Sequence, residues 1–269
     1  MKIAVIGGAG YIGSHTTREL LDRGHEVCVF DNLSSGLEQN LFPEAGFVKG
    51  DILHPEEIGK FLNDFKPEGL VHLAAFKAAG ESMINPEKYS VNNITGSINI
   101  LNAASAAGVK YFVFSSSAAT YGAPKYQPVD EKHPTEPENH YGYTKLAIEG
   151  FLKWYDKLRG IKFAALRYFN AAGYDVKGRL CGLEKNPANL IPVVMEAILG
   201  KRKELLVFGN DYDTPDGTGV RDYIHVNDLA IGHGMAFDYL QKNNKSLIVN
   251  LGVQQGSSVL DVIHMAEKV

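Results

Sequence analysis

Tyr141 and Lys145 stand four residues apart in Tyr141-Gly-Tyr-Thr-Lys145, and in a helix that spacing puts both side chains on one face. A tyrosine with an ordinary pKa near 10 is a poor base at neutral pH. A lysine cation beside it favours the phenolate and lowers that value, so the pair can move a proton to or from a hydroxyl group. Ser117, the last residue of Ser115-Ser116-Ser117, could hydrogen-bond the same hydroxyl. Taken alone, these residues also fit a helix surface and a turn serine. The chemical reading draws its support from the start of the chain, MKIAVIGGAGYIG. There the apolar run Lys2 to Ile6 meets glycines at positions 7, 8, 10 and 13, followed by a helical stretch from Ser14 to Asp22. Strand, glycine turn and helix are the context of a dinucleotide site. The glycines allow a tight turn, close approach of a pyrophosphate and close helix–strand packing, with the helix N-terminus aimed at the phosphates. A second strand, Glu26 to Phe30, ends on Asp31, which lies 18 residues past Gly13, near the place of a ribose-binding acid.

The elements that must position these residues alternate. Strands are expected at Phe47 to Gly50, Gly69 to Leu73, Tyr111 to Phe114 and Lys162 to Arg167. Helices are expected at Pro55 to Phe65, Pro86 to Ala107 and Tyr141 to Leu158. This alternation predicts an α/β fold with a doubly wound parallel sheet, in which ligands bind beyond the carboxyl ends of the strands. Gly7, Asp31, Asp51, Ala75 and Ser117 all fall at those ends. Past Phe169 the pattern changes to a polar stretch from Asn170 to Asn189, a helix from Leu190 to Leu199, a strand from Leu205 to Phe208 and a long loop from Gly209 to Gly219. A helix from His225 to Tyr239, a strand from Leu247 to Leu251 and a last helix from Ser258 that can dock on the sheet complete it. This second region is expected to form a smaller lobe against the carboxyl edge, with a substrate cleft between the two.

The composition is that of an ordinary globular protein, 45% hydrophobic and 22% charged, with a net charge of -4 over 269 residues. No block of like charge supports binding to nucleic acid or a membrane surface, and no apolar run has the length of a membrane span. Met1 leads straight into the first strand, leaving no room for a signal peptide. The two cysteines, Cys28 in a buried strand and Cys181 in a polar loop, lack metal-ligand spacing and read as packing residues in a reducing cytoplasm. His25, His72, His133 and His140 fit turns and strand ends, and no metal is expected. Trp154 and Tyr155 are expected to pack on the sheet or at an oligomer face.

The glycine motif, Ser115-Ser116-Ser117, Tyr141-x-x-x-Lys145 and Arg167-Tyr-Phe-Asn170 resemble the extended short-chain dehydrogenase/reductase family. More narrowly, GGAGYIGSH (7–15), DNLSSG (31–36), KAAGES (77–82), FSSSAATYG (114–122) and GNDYDTPDGTGVRDYIHVNDLA (209–230) look like segments of its UDP-glucose 4-epimerase branch. The resemblance runs over the whole chain. It implies a Rossmann-type NAD-binding domain over 1–168 and a substrate-binding lobe over 169–269, partly interleaved with it. It implies reversible hydride transfer at sugar carbon 4, interconverting UDP-glucose and UDP-galactose in a cytoplasmic homodimer.

Residue by residue, the resemblance places Gly7, Gly10, Tyr11, Ile12 and Gly13 along the NAD pyrophosphate, and Asp31 on the adenosine ribose with Asn32, Leu33, Ser34, Ser35 and Gly36 nearby. Asp51 and Ile52 flank the adenine. Leu73, Ala74, Ala75, Phe76, Lys77 and Asn92 line the pyrophosphate and ribose, and Phe169 approaches the nicotinamide. Tyr141 is the implied base, Lys145 its electrostatic partner and ribose ligand, and Ser117 the supporting donor. Lys77, Ser117, Tyr141, Asn170, Asn189, Leu190, Phe208 and Arg221 fall to the nucleotide-sugar. Arg221 also makes sense physically, since a guanidinium suits a diphosphate, although a surface ion pair would use the same residue. Leu73-Ala74-Ala75 departs from the family's usual Phe-Ala-Gly without changing its small apolar character. Ala118-Ala119 replaces the Asp-Glu that the related 4,6-dehydratases carry for elimination. The resembling enzymes continue past the position of Val269 with an arginine and an aspartate that grip UDP. The chain is therefore expected to lack their C-terminal segment and to hold UDP-sugars weakly.

Overall fold

Residues 1–180, 184 and 189–268 are described by the computed structural model; Cys181 lies outside them. In chain order the first part runs β1 (Lys2–Ile6), α1 (Tyr11–Asp22), β2 (Glu26–Asp31), β3 (Gly46–Lys49), α2 (Pro55–Phe65) and β4 (Gly69–His72). Next come α3 (Ala79–Ser82), α4 (Pro86–Tyr89), α5 (Gly96–Ala106), β5 (Tyr111–Ser117), α6 (His140–Arg159) and β6 (Lys162–Tyr168). The remainder is β7 (Asn170–Ala172), α7 (Leu190–Ile198), β8 (Val220–His225), α8 (Val226–Asn243), β9 (Leu247–Leu251), β10 (Gly256–Ser258) and α9 (Val259–Ala266).

Seven strands form one sheet in the order β3-β2-β1-β4-β5-β6-β9, and every pair in it is parallel. The strand order reverses between β1 and β4, the crevice where such sheets bind ligands. Strand alternation divides the core into two layers. Ala4, Ile6, Phe30, Phe112 and Phe114 pack with Ile58 and Leu62 of α2, Ile100 and Leu101 of α5, and Ile148 and Leu152 of α6. Ile3, Val5, Val29, Val71 and Val113 pack on the other face with Leu20 of α1 and Leu229, Phe237 and Leu240 of α8. Among the described residues no helix is long and apolar enough to cross a membrane.

Local chemistry sets the helix ends. Asn139 caps α6 by accepting the Gly142 amide at 2.8 Å, and Gly160 closes it in the left-handed region. Pro55 opens α2 with Glu56 and Glu57 in its first turn, the end where acids suit the helix dipole. His54, Glu56 and Glu57 cluster there in the open. Glu57 already accepts the Asp51 amide at 2.8 Å and lies 3.0 Å from His54, so this cluster ties the start of α2 to the end of the loop after β3. Ser258 and Asp261 form a reciprocal capping box on α9.

Three expectations are corrected. The strand expected at Leu205 to Phe208 is absent: the run is largely exposed, Phe208 is 82% exposed, and an isolated strand with no edge to pair on gains nothing. The strands of this region are instead β10, β8 and β7, which make a second sheet in that order, with β8 antiparallel to β10 and parallel to β7. The helix expected over 86–107 is interrupted by a π-helical turn at Ser90–Thr95. The last helix packs against α7 and β10 and buries no residue fully, instead of docking on the large sheet.

Candidate active site

Gly7 leaves β1 with φ +88°, and a Cβ there would stand 2.6 Å from the Ala74 nitrogen, so only glycine fits the turn. A Cβ on Gly13 would stand 2.2 Å from the Gly7 carbonyl oxygen; its absence is what lets α1 start hard against β1. Gly10 is the N-cap of α1, has no side-chain cap and is followed by no acid in the first turn. The first amides of the helix therefore have no acceptor within it and carry the positive end of its dipole. A Cβ on Gly10 would meet one atom only, at 3.5 Å, so the backbone surface beside those amides is bare. Tyr11 and Ile12 stand in this turn.

Asp31 ends β2, is 9% exposed, and accepts the Ala9 amide at 3.0 Å and the Leu33 amide at 2.8 Å. It thereby ties the glycine turn to the following loop, where Asn32 donates to Asp51 at 2.9 Å and accepts the Ser34 amide at 2.9 Å. Ser35 completes that loop. Gly36 ends it, because a Cβ there would press on Ala9 at 2.8 Å. Ile52 is buried beside Gly96 and its carbonyl accepts from Asn99 at 3.0 Å. Across the switch point, the Leu73 and Ala74 amides bond to the Ile6 carbonyl, which brings 73–77 beside the glycine turn, with Ala75 in this run. An uncapped helix end, a bare glycine surface and a buried acid at the neighbouring strand end fit a dinucleotide's pyrophosphate and ribose.

Asn93 is a residue that motif reading missed. It is fully buried, accepts the Phe76 amide at 2.9 Å and donates to the Phe76 carbonyl at 3.0 Å, clamping the loop after β4. Its neighbour Asn92 donates to it at 2.9 Å. Both sit in the π-helical turn, a distortion that often marks function and that repeats no readable sequence pattern.

Ser117 ends β5 and Tyr141 and Lys145 lie on the first turns of α6. Lys145 donates Nζ to the Ser115 carbonyl at 2.7 Å, over the ring of Phe114 at 4.9 Å and that of Tyr141 at 5.8 Å. Burial brings the Lys145 ammonium down to about 7. Burial pushes the Tyr141 phenol up, opposed by its hydrogen bond to Ser117. The expectation of a lowered tyrosine pKa is thus reversed in the protein alone. Desolvation outweighs the neighbouring groups, and added positive charge would have to overcome it. One turn beyond Lys145, Glu149 meets Ser116 and Arg167 in a buried network.

Phe169 joins β6 to β7, which starts the small sheet. Asn170 in β7 donates to the Asp222 carbonyl at 3.0 Å. A cavity of about 300 Å³ opens here, and its lining includes Asn170, Asn189, Leu190, Phe208 and Arg221. These residues are scattered over fifty positions in the sequence; the small sheet and the start of α7 gather them. Tyr212 and Tyr223 line the same cavity and were not legible without the strand β8. Lys77, Ser117 and Tyr141 do not line it. Lys77 pairs with Glu184.

The two regions are stitched together directly. The Tyr11 hydroxyl donates to the Gly173 carbonyl. Arg179 bridges Asp175 and Asp22, which holds the Asp175 carboxyl well below the usual range.

The family described as NAD dependent epimerase/dehydratase matches residues 3–252. This chain is a member of that family. The UDP-glucose 4-epimerase of Lactobacillus helveticus is 45% identical over 269 residues, which is all of this chain and 82% of that protein. The structure of UDP-glucose 4-epimerase from Brucella ovis in complex with NAD is 41% identical with a TM-score of 0.94, covering 98% of this chain and 81% of that one. The Bifidobacterium longum UDP-glucose 4-epimerase in complex with NAD+ and UDP is 38% identical with a TM-score of 0.93, covering all of this chain and 83% of that one. Identity of this order across the whole chain includes the small sheet, so the likeness is to the epimerases and extends beyond the shared cofactor fold.

Proposed function

We propose that this epimerase-family protein interconverts UDP-glucose and UDP-galactose with NAD as a retained cofactor. The observation that carries the reading is that Ser117 ends β5 while Tyr141 and Lys145 stand over that strand end on α6, on the same carboxyl rim of the sheet as the glycine turn of β1. NAD supplies a reversible hydride acceptor for sugar carbon 4. On the first turn of α1, Gly7, Gly10, Tyr11, Ile12 and Gly13 would hold its pyrophosphate, and Asp31 would accept from its adenosine ribose. Residues 32–36, Asp51 and Ile52 border the adenine side, and residues 73–77, Asn92 and Phe169 border the other end. Residues 1–168 thus serve mainly the cofactor, and the region from 169 onward mainly the nucleotide-sugar.

Tyr141 would take the proton of the sugar 4-hydroxyl as carbon 4 gives up its hydride, and would return the proton to that same oxygen once the 4-keto sugar has turned over and regained the hydride on its opposite face. Ser117 holds the reacting oxygen, and the Lys145 cation favours the phenolate, opposing the burial that holds Tyr141 neutral. Arg221 grips the diphosphate, with Asn170, Asn189, Leu190 and Phe208 around the nucleotide and Lys77 at the sugar end. Ala118 and Ala119 at the end of β5 offer no acid and base for elimination, which favours epimerisation over dehydration. The protein works as a cytoplasmic homodimer through the outer faces of α5 and α6, where Trp154 is 57% and Leu158 64% exposed. The test is incubation with UDP-galactose, read through UDP-glucose dehydrogenase: steady NADH production is expected, and none at substrate saturation would refute the activity.

A further inference from the structure

Three successive residues of β5 hold three successive turns of α6. The Ser117 side chain lies beside the Tyr141 phenol and favours its ionised form, and the Ser115 carbonyl accepts from Lys145 at 2.7 Å. Between them the Ser116 hydroxyl donates to Glu149 Oε1 at 2.6 Å. Glu149 follows Lys145 by the same four residues that separate Lys145 from Tyr141, so the three share one stripe of the helix. Glu149 lies two turns, roughly 12 Å, from Tyr141 along the axis, and its side chain is 0% exposed. It is closed off by Arg167, which donates Nε to Oε1 at 2.8 Å and Nη2 to Oε2 at 2.5 Å. The β5–β6 register puts Arg167 directly opposite Ser116. Arg167 in turn lies over the ring of Tyr121 at 4.8 Å, whose hydroxyl donates to Asn250 of β9 at 2.7 Å.

A fully desolvated ion pair is a poor source of net stability, because a well-packed apolar pair of similar volume often does as well. Its forked, two-point geometry is directional in a way an apolar contact is not. Single hydrogen bonds hold the two ends of α6, from the Tyr141 amide to Ser82 at 3.0 Å, from Asn93 to Thr144 at 3.2 Å and from Tyr155 to Asn102 at 2.5 Å, whereas its middle is otherwise seated by the apolar Ile148 and Leu152, contacts that tolerate sliding. We propose that Glu149, gripped by Arg167 and Ser116, is a positioning residue. It sets the height and rotation of α6 on the sheet and so holds Tyr141 and Lys145 in line with Ser117. The inference rests on the reading above that Tyr141 and Lys145 carry the proton chemistry.

The deciding variant is Glu149→Met with Arg167→Met, which removes both charges together and leaves no buried ion unpaired. It is expected to fold and retain NAD with a thermal midpoint near that of the parent. Its kcat for UDP-galactose should fall by about 10²-fold, the scale of a 1 Å misplacement of reacting groups. KM should stay unchanged, since the nucleotide contacts lie on α7 and β8. Amide exchange over residues 140–149 should quicken while exchange in β1 and β4 does not. Parent kcat in the folded double variant, or unchanged exchange in α6, overturns the proposal. Should the double variant not fold, Ser116→Ala leaves the ion pair intact and tests the same seat. A smaller kcat loss at constant KM is expected, and full kcat overturns the proposal. A parent protein inactive on UDP-galactose would sink the proposed function instead, and the exchange measurement would still decide the role of Glu149.

Discussion

The Tyr141 hydroxyl sits where desolvation holds it protonated, and that makes its role measurable. Tyr141→Phe should lower turnover by roughly the 10²–10⁴ that a positioned proton-transfer group supplies, with the bound cofactor retained; near-parent turnover in a coupled assay would exclude the assignment. Lys145 offers a separate signature. Its ammonium is brought from 10.5 to about 7 in the folded protein, so between those values the unfolded chain binds the extra proton. Stability therefore rises with pH across that window, by at most about 1.4 kcal/mol per pH unit, and the burial cost is fully present below it. In cofactor-free protein, Lys145→Met should flatten this rise in urea midpoints between pH 7 and 10 relative to the parent; parallel curves would refute it. On the proposed reading Asp31 governs cofactor choice. Its carboxylate accepts two amides, would accept from ribose hydroxyls and would repel a 2′-phosphate, and no lysine or arginine stands among residues 32–36 to neutralise one. Titration should find NAD bound more tightly than NADP, and Asp31→Asn should narrow the gap. These residues were legible because each keeps its meaning in a short motif. Asn93 and Glu149 were not, because their partners come from distant elements and a lone Asn or Glu signals nothing by itself; Arg167 was read within Arg167-Tyr-Phe-Asn170, but not its pairing with Glu149.

At the scale of elements, glycine spacing translates directly into packing. Gly13→Ala would put a Cβ 2.2 Å from the Gly7 oxygen, a contact relieved only by lifting α1 off β1. A loss of about 1–3 kcal/mol, the usual cost of overpacking, is expected, together with weakened NAD binding in the same preparation. Parent-like thermal midpoint and NAD affinity would show that the helix start has slack. The large sheet could be read from the sequence because buried parallel strands are short apolar runs bounded by glycine, proline and polar turns. The small sheet could not. β7 is three residues long, and β8 carries Arg221 and Asp222 in mid-strand and takes its regularity from partners at both edges. The apolar run from Leu205 to Phe208 misled for the converse reason: it satisfies a strand pattern, but no partner edge is there to use it. In the same way Pro86 to Ala107 carries an unbroken helical pattern, and the wider turn inside it holds Asn93 against the loop after β4.

At the scale of the whole molecule, the exposed stripe of Trp154 and Leu158 joins a groove of about 630 Å³ between α5 and α6. Light scattering should find a dimer, and Trp154→Glu with Leu158→Glu should yield a monomer; a dimer that survives both changes would place the interface elsewhere. The contacts between regions bear on binding as well. The Tyr11 hydroxyl on the Gly173 carbonyl and the Asp22–Arg179–Asp175 bridge fasten α1, whose N-terminus is the proposed pyrophosphate site, to the loop that follows β7. Charged residues spaced far apart in the chain give no sign of such a bridge until the fold brings them together.

The position of α8 has a consequence for how the chain is made. Its Phe237 ring presses so closely on β4 that a Cβ on Gly69 would stand 2.6 Å away, and with Leu229 and Leu240 it covers the sheet face built on Val5, Val71 and Val113. Those strands leave the ribosome early, whereas α8 ends at Asn243. At the usual 5–20 residues per second, roughly 10–30 s of translation separate the two. During that interval α2, then α5 and then α6 become available to one face, while the other has only α1. Its bare apolar surface makes the half-made protein a natural client for a holding chaperone.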